Sequence, residues 1–201
     1  MSTCSTRSTR VFPALIAVCL ATGCLASAAC AQETQEPFSR IALRGGMTPA
    51  VRHNASYSHW QHGSGGIFTA ATPFYFGEAE AGVALHRYSA VRRDTPSFNA
   101  FFTFVGWGTE YTVPRVFSWH AGMRTGIYHM IFDEEPGDEE EKEFSLALVS
   151  RIDLHLSETL RLFVEGHVMR TYTLPRLDTA GLTGGIGLRF RNPDWLRTLL
   201  K

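Results

Sequence analysis

After Cys30 the chain has no cysteine: its four, Cys4, Cys19, Cys24 and Cys30, all lie near the amino terminus. If that segment is removed on export, neither disulfides nor thiolate-bound metals can hold the remainder together. Long apolar runs are also missing beyond Ala31, whereas a membrane-crossing helix needs about 20 predominantly apolar residues. A surplus of either charge is absent as well. Lys and Arg number 19 and Asp and Glu 19, so the formal charge is zero and nothing points to nucleic acid as a partner. One domain is the default expectation for 201 residues.

What is present begins with an export signature. Arg7 and Arg10 precede an apolar stretch from Val11 to Ala29 that ends in small residues, the pattern of a secretory signal peptide. Ala29-Cys30-Ala31 offers cleavage before Gln32, and Ala26-Ser27-Ala28 a second choice. An alternative retains Cys24 as an acylated first residue, but Ala21-Thr22-Gly23-Cys24 lacks the leucine usual three places before such a cysteine. The expected organisation is a signal peptide over 1–31, a barrel domain over 32–190, and a tail or short helix over 191–201. The leader carries two arginines and no acid, so the remainder has 17 basic residues (19 less Arg7 and Arg10) against 19 acidic, or −2.

From Phe38 onward, two-residue alternation predicts strands, because side chains along a strand point to opposite faces. Expected strands cover Phe38 to Met47, Gly65 to Phe76, Ala79 to Tyr88, Phe98 to Thr112, Val116 to Ile131, Phe144 to Leu156, Leu160 to Tyr172 and Ala180 to Phe190. Pro73 suggests a bulge in the second, and Gly77-Glu78 a tight turn into the third. In the fourth, both faces carry aromatics; Phe101, Val105, Trp107 and Tyr111 are placed outward, which puts Glu110 inside. Connections alternate between long and short. Trp107, Tyr111, Phe117 and Trp119 cluster around one short turn, as an aromatic girdle would.

In the last strand, Ala180, Leu182, Gly184, Ile186, Leu188 and Phe190 share one face, and Gly181, Thr183, Gly185, Gly187 and Arg189 the other. Its second half, Gly185 through Leu188 to Phe190, resembles the closing-strand signal of bacterial outer-membrane barrels. With eight strands, the chain resembles the small outer-membrane barrels of the OmpA-like and OmpX-like class, although eleven residues follow Phe190 where such chains commonly end at the aromatic. The resemblance implies an all-β, eight-stranded, antiparallel, up-and-down transmembrane β-barrel in the outer membrane. Beyond it, Asn192-Pro193 is suited to cap and start a short amphipathic helix through Lys201, with a frayed tail as the alternative. Its implied partners are outer-membrane lipid, lipopolysaccharide and the outer-membrane assembly machinery. A monomer without cofactor or metal is expected. Members of the class serve as anchors, adhesins, small-solute passages or lipid-modifying enzymes, so the fold does not choose among functions.

The predicted interior holds Arg40, Arg44, Glu80, His86, Glu110, His120, Arg124, Arg151, Asp153, His155, Glu165, His167 and Arg189. Eight strands leave a lumen that side chains fill, and charges there must pair or stay hydrated. A salt-bridge plug is the expectation; a narrow polar passage is the alternative. No catalytic residue is assigned. Asp153, His155 and Ser157 do share one face, and lipid A deacylases of this architecture use a histidine and a serine two apart, which leaves an acyl hydrolase as a further alternative. The first long loop, Thr48 to Gly63, carries His53, Tyr57, His59, Trp60 and His62 and is read as surface-exposed. The loop from Phe132 to Lys142 carries seven acids, read as a solvated run with divalent-cation binding as the alternative. Alternation alone is also compatible with an inverted arrangement, a soluble lipocalin-like barrel with an apolar cavity.

Overall fold

The computed structural model describes residues 36–49, 60–91, 96–133, 140–173 and 177–192. Eight strands form: β1 (Arg40–Thr48), β2 (Trp60–Phe74), β3 (Gly77–Ala90), β4 (Phe98–Val113), β5 (Phe117–Phe132), β6 (Glu140–His155), β7 (Leu160–Thr171) and β8 (Leu177–Arg191). Each pairs antiparallel with its sequence neighbours, and β1 pairs with β8 to close the barrel. The signal peptide, the tail from residue 193 on with its expected helix, His53, Tyr57 and His59 lie outside the described residues, as does most of the acidic loop; Arg191, expected in the tail, belongs to β8.

The facing of the strands separates a membrane barrel from its soluble inverse. On β6, Arg151 and Asp153 are each 1% exposed, whereas Leu148, Ile152 and Leu154 are 52%, 49% and 49% exposed. The lipocalin-like alternative is thereby excluded, since it needs the leucines inside and the charges in water. From Phe144 to Leu156 the outward side of β6 is apolar except for Ser150, whose Oγ accepts a hydrogen bond from Trp119 Nε1 at 3.0 Å. Such a stretch, tilted by about 40°, spans about 30 Å, the thickness of a bilayer core. Charged side chains reappear on the outer surface at its long-loop end: Glu140 lies 3.1 Å from His129 and 3.7 Å from Lys142, and Arg170, in register with Leu146, is bonded to Asp178 at 2.7 Å.

Several boundaries differ from expectation. The second strand starts at Trp60, so Trp60 and His62 belong to β2 and not to a loop; Trp60 Nε1 donates to the Pro96 carbonyl at 2.7 Å. Pro73 sits in regular register opposite Glu78, and the irregularity falls between His62 and Gly65. A proline is tolerated there because β1 begins only at Arg40: the Pro73 carbonyl accepts from Phe38 N at 2.9 Å, and the Phe38 carbonyl takes its donor from Asn192 Nδ2 at 2.8 Å. Gly77-Glu78 is not the turn. The chain reverses at Tyr75-Phe76, with Tyr75 at φ 53°, and Glu78 lies inside β3 with 2% exposure. Glu140 and Glu141 belong to β6 and not to the acidic loop, and Phe132 belongs to β5.

Glycines at the seam have a packing cause. Gly46 and Gly185 are register partners across β1 and β8. A Cβ on Gly46 would lie 2.7 Å from Phe163 Cζ, and one on Gly185 2.8 Å from Phe163 Cε1. The buried Phe163 ring, on the neighbouring β7 in register with Gly185, takes the space beside Gly46, while a Cβ on Gly185 would meet the backbone of Gly45 and Gly46 before it reached the ring. Gly46→Val should destabilise the barrel by about 1–3 kcal/mol through overpacking, read as a lower urea midpoint, and adding Phe163→Ala should recover part of the loss, because the ring is the nearest obstacle at that position. No recovery in the double variant would show that the ring is not what excludes the side chain.

Candidate functional site: the filled lumen

Alternate residues of all eight strands point inward, and the interior they form has three tiers. Toward the long-loop end it is aromatic. Tyr88 stacks on Phe98 with ring centroids 4.6 Å apart, Tyr128 Oη donates to Tyr88 Oη at 3.1 Å, and Ala100, Phe102, Met130, Met169 and Leu177 pack around them. Just below, His62 Nε2 lies 3.1 Å from His86 Nδ1, and the His86 and His167 rings are 6.4 Å apart.

The middle tier is an ion lattice. Arg124 reaches two carboxylates at once, with Nε to Glu80 Oε1 at 2.6 Å, Nη1 to Glu165 Oε1 at 2.5 Å and Nη2 to Glu165 Oε2 at 2.7 Å. Its guanidinium also lies 4.7 Å from the centre of the Phe104 ring. Arg151 donates through Nη2 to Glu78 at 2.8 Å and through Nε to Asp153 at 3.1 Å, and its Nη1 lies 3.5 Å from Glu80 and 3.6 Å from Glu165. Arg44 completes the tier by donating to both oxygens of Glu78 at 3.0 and 3.1 Å, with Asp153 3.6 Å away. A planar fork of donors can serve two carboxylates simultaneously, which a lysine ammonium cannot do with the same geometry.

The lowest tier lies near the short turns. Glu110 takes a hydrogen bond from Arg189 Nη2 at 2.9 Å and has Arg40 at 3.5 Å and Arg161 at 3.8 Å. Ser118 Oγ meets His155 Nε2 at 2.8 Å and accepts from Arg161 Nη1 at 3.1 Å and Thr112 Oγ1 at 3.2 Å.

Of the interior residues read from the sequence, Arg44, Glu80, Arg124, Arg151, Asp153 and Glu165 therefore meet in one lattice. Arg40, Glu110, His155 and Arg189 meet in a second, lower group. His120 and His167 are inside but join neither by a hydrogen bond; both ring nitrogens of His120 are without a partner among the described residues. Glu78, central to the lattice, was missed because the glycine before it suggested a turn. Arg161 and His62 were missing from the expected network for related reasons, one standing next to a turn and one placed in a loop.

The acyl-hydrolase alternative does not fit this geometry. Ser157 Oγ accepts from the backbone amides of Thr159 and Leu160 at 3.2 and 2.9 Å and thus closes a turn, while Asp153 is held by Arg151. His155 does face a serine, but Ser118 is fully buried and its oxygen is engaged by three side chains. Neither Ser157 nor Ser118 presents a free attacking hydroxyl to His155.

No protein-family model matches the sequence, and no curated protein does. Solved structures do match in shape. The chain is similar to Neisserial surface protein A at 8% identity, covering 79% of this chain and 100% of that one, with a TM-score of 0.56. It is also similar to Ail, the attachment invasion locus protein of Yersinia pestis, at 12% identity, 76% and 99% coverage and a TM-score of 0.51. For the N-terminal β-barrel domain of Pseudomonas aeruginosa OprF the values are 9%, 77%, 100% and 0.50. The fold is that of the small eight-stranded outer-membrane barrels.

Removing one member of a buried ionic lattice leaves its partners charged and unpaired, at a cost of about 3–5 kcal/mol. Arg124→Met should therefore destabilise the barrel by that amount in urea, read by tryptophan fluorescence. Combining Arg124→Met with Glu80→Gln and Glu165→Gln should be milder than the single change, because the uncompensated carboxylates are gone. A triple variant weaker than the single would contradict charge balance as the organising term.

Proposed function

We propose that this chain is a structural and surface-interaction protein of the bacterial outer membrane, exported with its signal peptide and closed to ion flow. The observation that carries the reading is the filled lumen: an aromatic tier, an ion lattice and a lower arginine group occupy it in succession. Water and ions crossing it would have to displace paired charges in a space that side chains already fill. What remains for interaction is the rim at which the longer connections begin and end. Two of the similar structures are named for surface location and for attachment and invasion, which supports a comparable exposed role for these connections.

Lipid and lipopolysaccharide are the natural surroundings of an apolar outer face bordered by charged residues. The assembly machinery is the expected route of insertion, with β8 carrying the signal that ends at Phe190. A monomer suffices, because closure of β1 on β8 leaves no strand edge to pair with another chain.

Two measurements test the proposal. Outer-membrane fractions should contain a band whose mobility in detergent gels changes on heating, whereas recovery wholly in the soluble periplasm would refute the location. In planar bilayers the purified barrel should give no steady conductance, and reproducible unitary steps would refute the plug.

A further inference from the structure

The lumen's charge is unevenly distributed. Among the described residues, the middle tier sets Arg44, Arg124 and Arg151 against Glu78, Glu80, Asp153 and Glu165, three cations to four anions. At the short-turn mouth, Arg40, Arg161 and Arg189 share the single carboxylate of Glu110, three cations to one, an excess of +2. These three arginines line an open recess of about 920 Å³. Arg115 and Arg191 stand at its edge, and among the described residues Glu158 is the one acid in its lining.

Two atoms show that the cluster is not satisfied from within. The Nε of Arg161 and the Nε of Arg189 are buried without a hydrogen-bond partner among the described residues, and both side chains are only 9% exposed. A buried guanidinium donor without an acceptor is costly. The Glu110 carboxylate cannot serve them all, being near one terminal nitrogen of each arginine. His155 supplies no negative charge, and its Nε2 is engaged with Ser118.

We propose that this mouth is a binding site for a phosphate group entering from the periplasmic side, the side on which outer-membrane barrels carry their short turns. Guanidinium forks match phosphate oxygens in geometry, and a dianionic phosphate monoester cancels the +2, whereas one carboxylate, or the singly charged phosphodiester of a lipid headgroup, leaves half of it. The recess falls in the size range of small-molecule sites, about 300–1,000 Å³. It opens at the level where inner-leaflet headgroups and soluble periplasmic phosphates are both within reach. The site takes only the lowest of the three tiers; the aromatic tier and the ion lattice above it still fill the lumen, so its failure would leave the proposed surface role intact.

The test uses the mature barrel refolded in a phosphate-free maltoside detergent, titrated at low salt and followed by NMR of the arginine Nε resonances. Inorganic phosphate and glycerol phosphate should shift the Arg161 and Arg189 signals saturably. Arg161→Gln with Arg189→Gln should weaken binding at least about tenfold, while Arg87→Gln, on the exposed side of β3, should leave it unchanged. Short-chain phosphatidylglycerol against phosphatidylcholine distinguishes the source: tighter binding of phosphatidylglycerol than of glycerol phosphate assigns a headgroup, and the reverse assigns a soluble phosphate. If the double variant fails to give the heat-modifiable folded band, Arg115→Gln and Arg191→Gln, each exposed, should each weaken binding about twofold by loss of field alone. Absence of saturation by about 10 mM phosphate, citrate binding where phosphate does not, or equal weakening by Arg87→Gln would overturn the proposal.

Discussion

Inside a bilayer every backbone amide and carbonyl has to be paired within the chain, since each one left open costs several kcal/mol. For this protein the requirement is met by the contact between β1 and β8, running in register from Arg40 opposite Arg191 to Met47 opposite Gly184. Everything else is a consequence of closing the ring with eight strands. The circumference leaves a lumen that side chains must fill; one residue in two is committed to it, and the other to lipid. Gly46 and Gly185 at the seam are part of the same accounting of space: the Phe163 ring occupies the volume a side chain on Gly46 would need, and the close backbone of β1 the volume of one on Gly185.

A lumen isolated from lipid can be polar, but only at the cost of desolvating whatever is placed there. The solution adopted is overwhelmingly arginine: of the 19 basic residues in the chain, only Lys142 and Lys201 are lysines. Arg124 bridges Glu80 to Glu165 and Arg151 bridges Glu78 to Asp153, so each cation links acids from different strands. Since β3, β5, β6 and β7 are joined through two guanidiniums, the lattice favours one register across the barrel. A one-residue slip in any of these strands would turn its charges toward lipid. The buried ions therefore contribute to uniqueness of the fold more than to net stability, where an apolar filling would do as well.

Much of this could be read from the sequence. Alternation identified all eight strands, and the outward reading of Phe101, Val105, Trp107 and Tyr111 in β4 followed once Glu110 was kept from lipid. The closing strand faces as expected, with Arg189 inward on Glu110 and Phe190 outward. The site was legible as a set of residues and not as an arrangement. Partition into a lattice and a basic mouth depends on height along the barrel, which follows from strand stagger, and stagger is fixed by the register of all eight pairs together. Glu78 shows the local limit: glycine is the residue that ordinarily marks a turn, and here the left-handed position falls two residues earlier, on a tyrosine. His62 was misplaced because the polar, glycine-rich sequence around it reads as loop, while the register break between His62 and Gly65 allows the strand to continue.

That tyrosine belongs to a wider pattern at the short-turn end. The three non-glycine residues with positive φ among those described, Phe38, Tyr75 and Arg115, all lie there, and left-handed backbone costs an ordinary residue about 1–2 kcal/mol. Turn geometry alone would place glycine at each. The side chains that glycine would forfeit have partners or surroundings that offset the strain. Phe38 packs on Phe74 with centroids 5.7 Å apart, and Tyr75 packs edge-on against Phe74 at 4.6 Å while remaining 63% exposed. On the adjacent hairpin Phe76 meets Trp107 at 5.4 Å, extending the aromatic girdle beyond the four residues visible from sequence. An amphipathic ring exposed at this height lies where the hydrocarbon gives way to headgroups, the position such rings prefer. Arg115 instead borders the basic recess. The residues at this rim are thus accounted for by what the rim meets, lipid on the outside and anions at the mouth, and the turns accept the conformations those residues require.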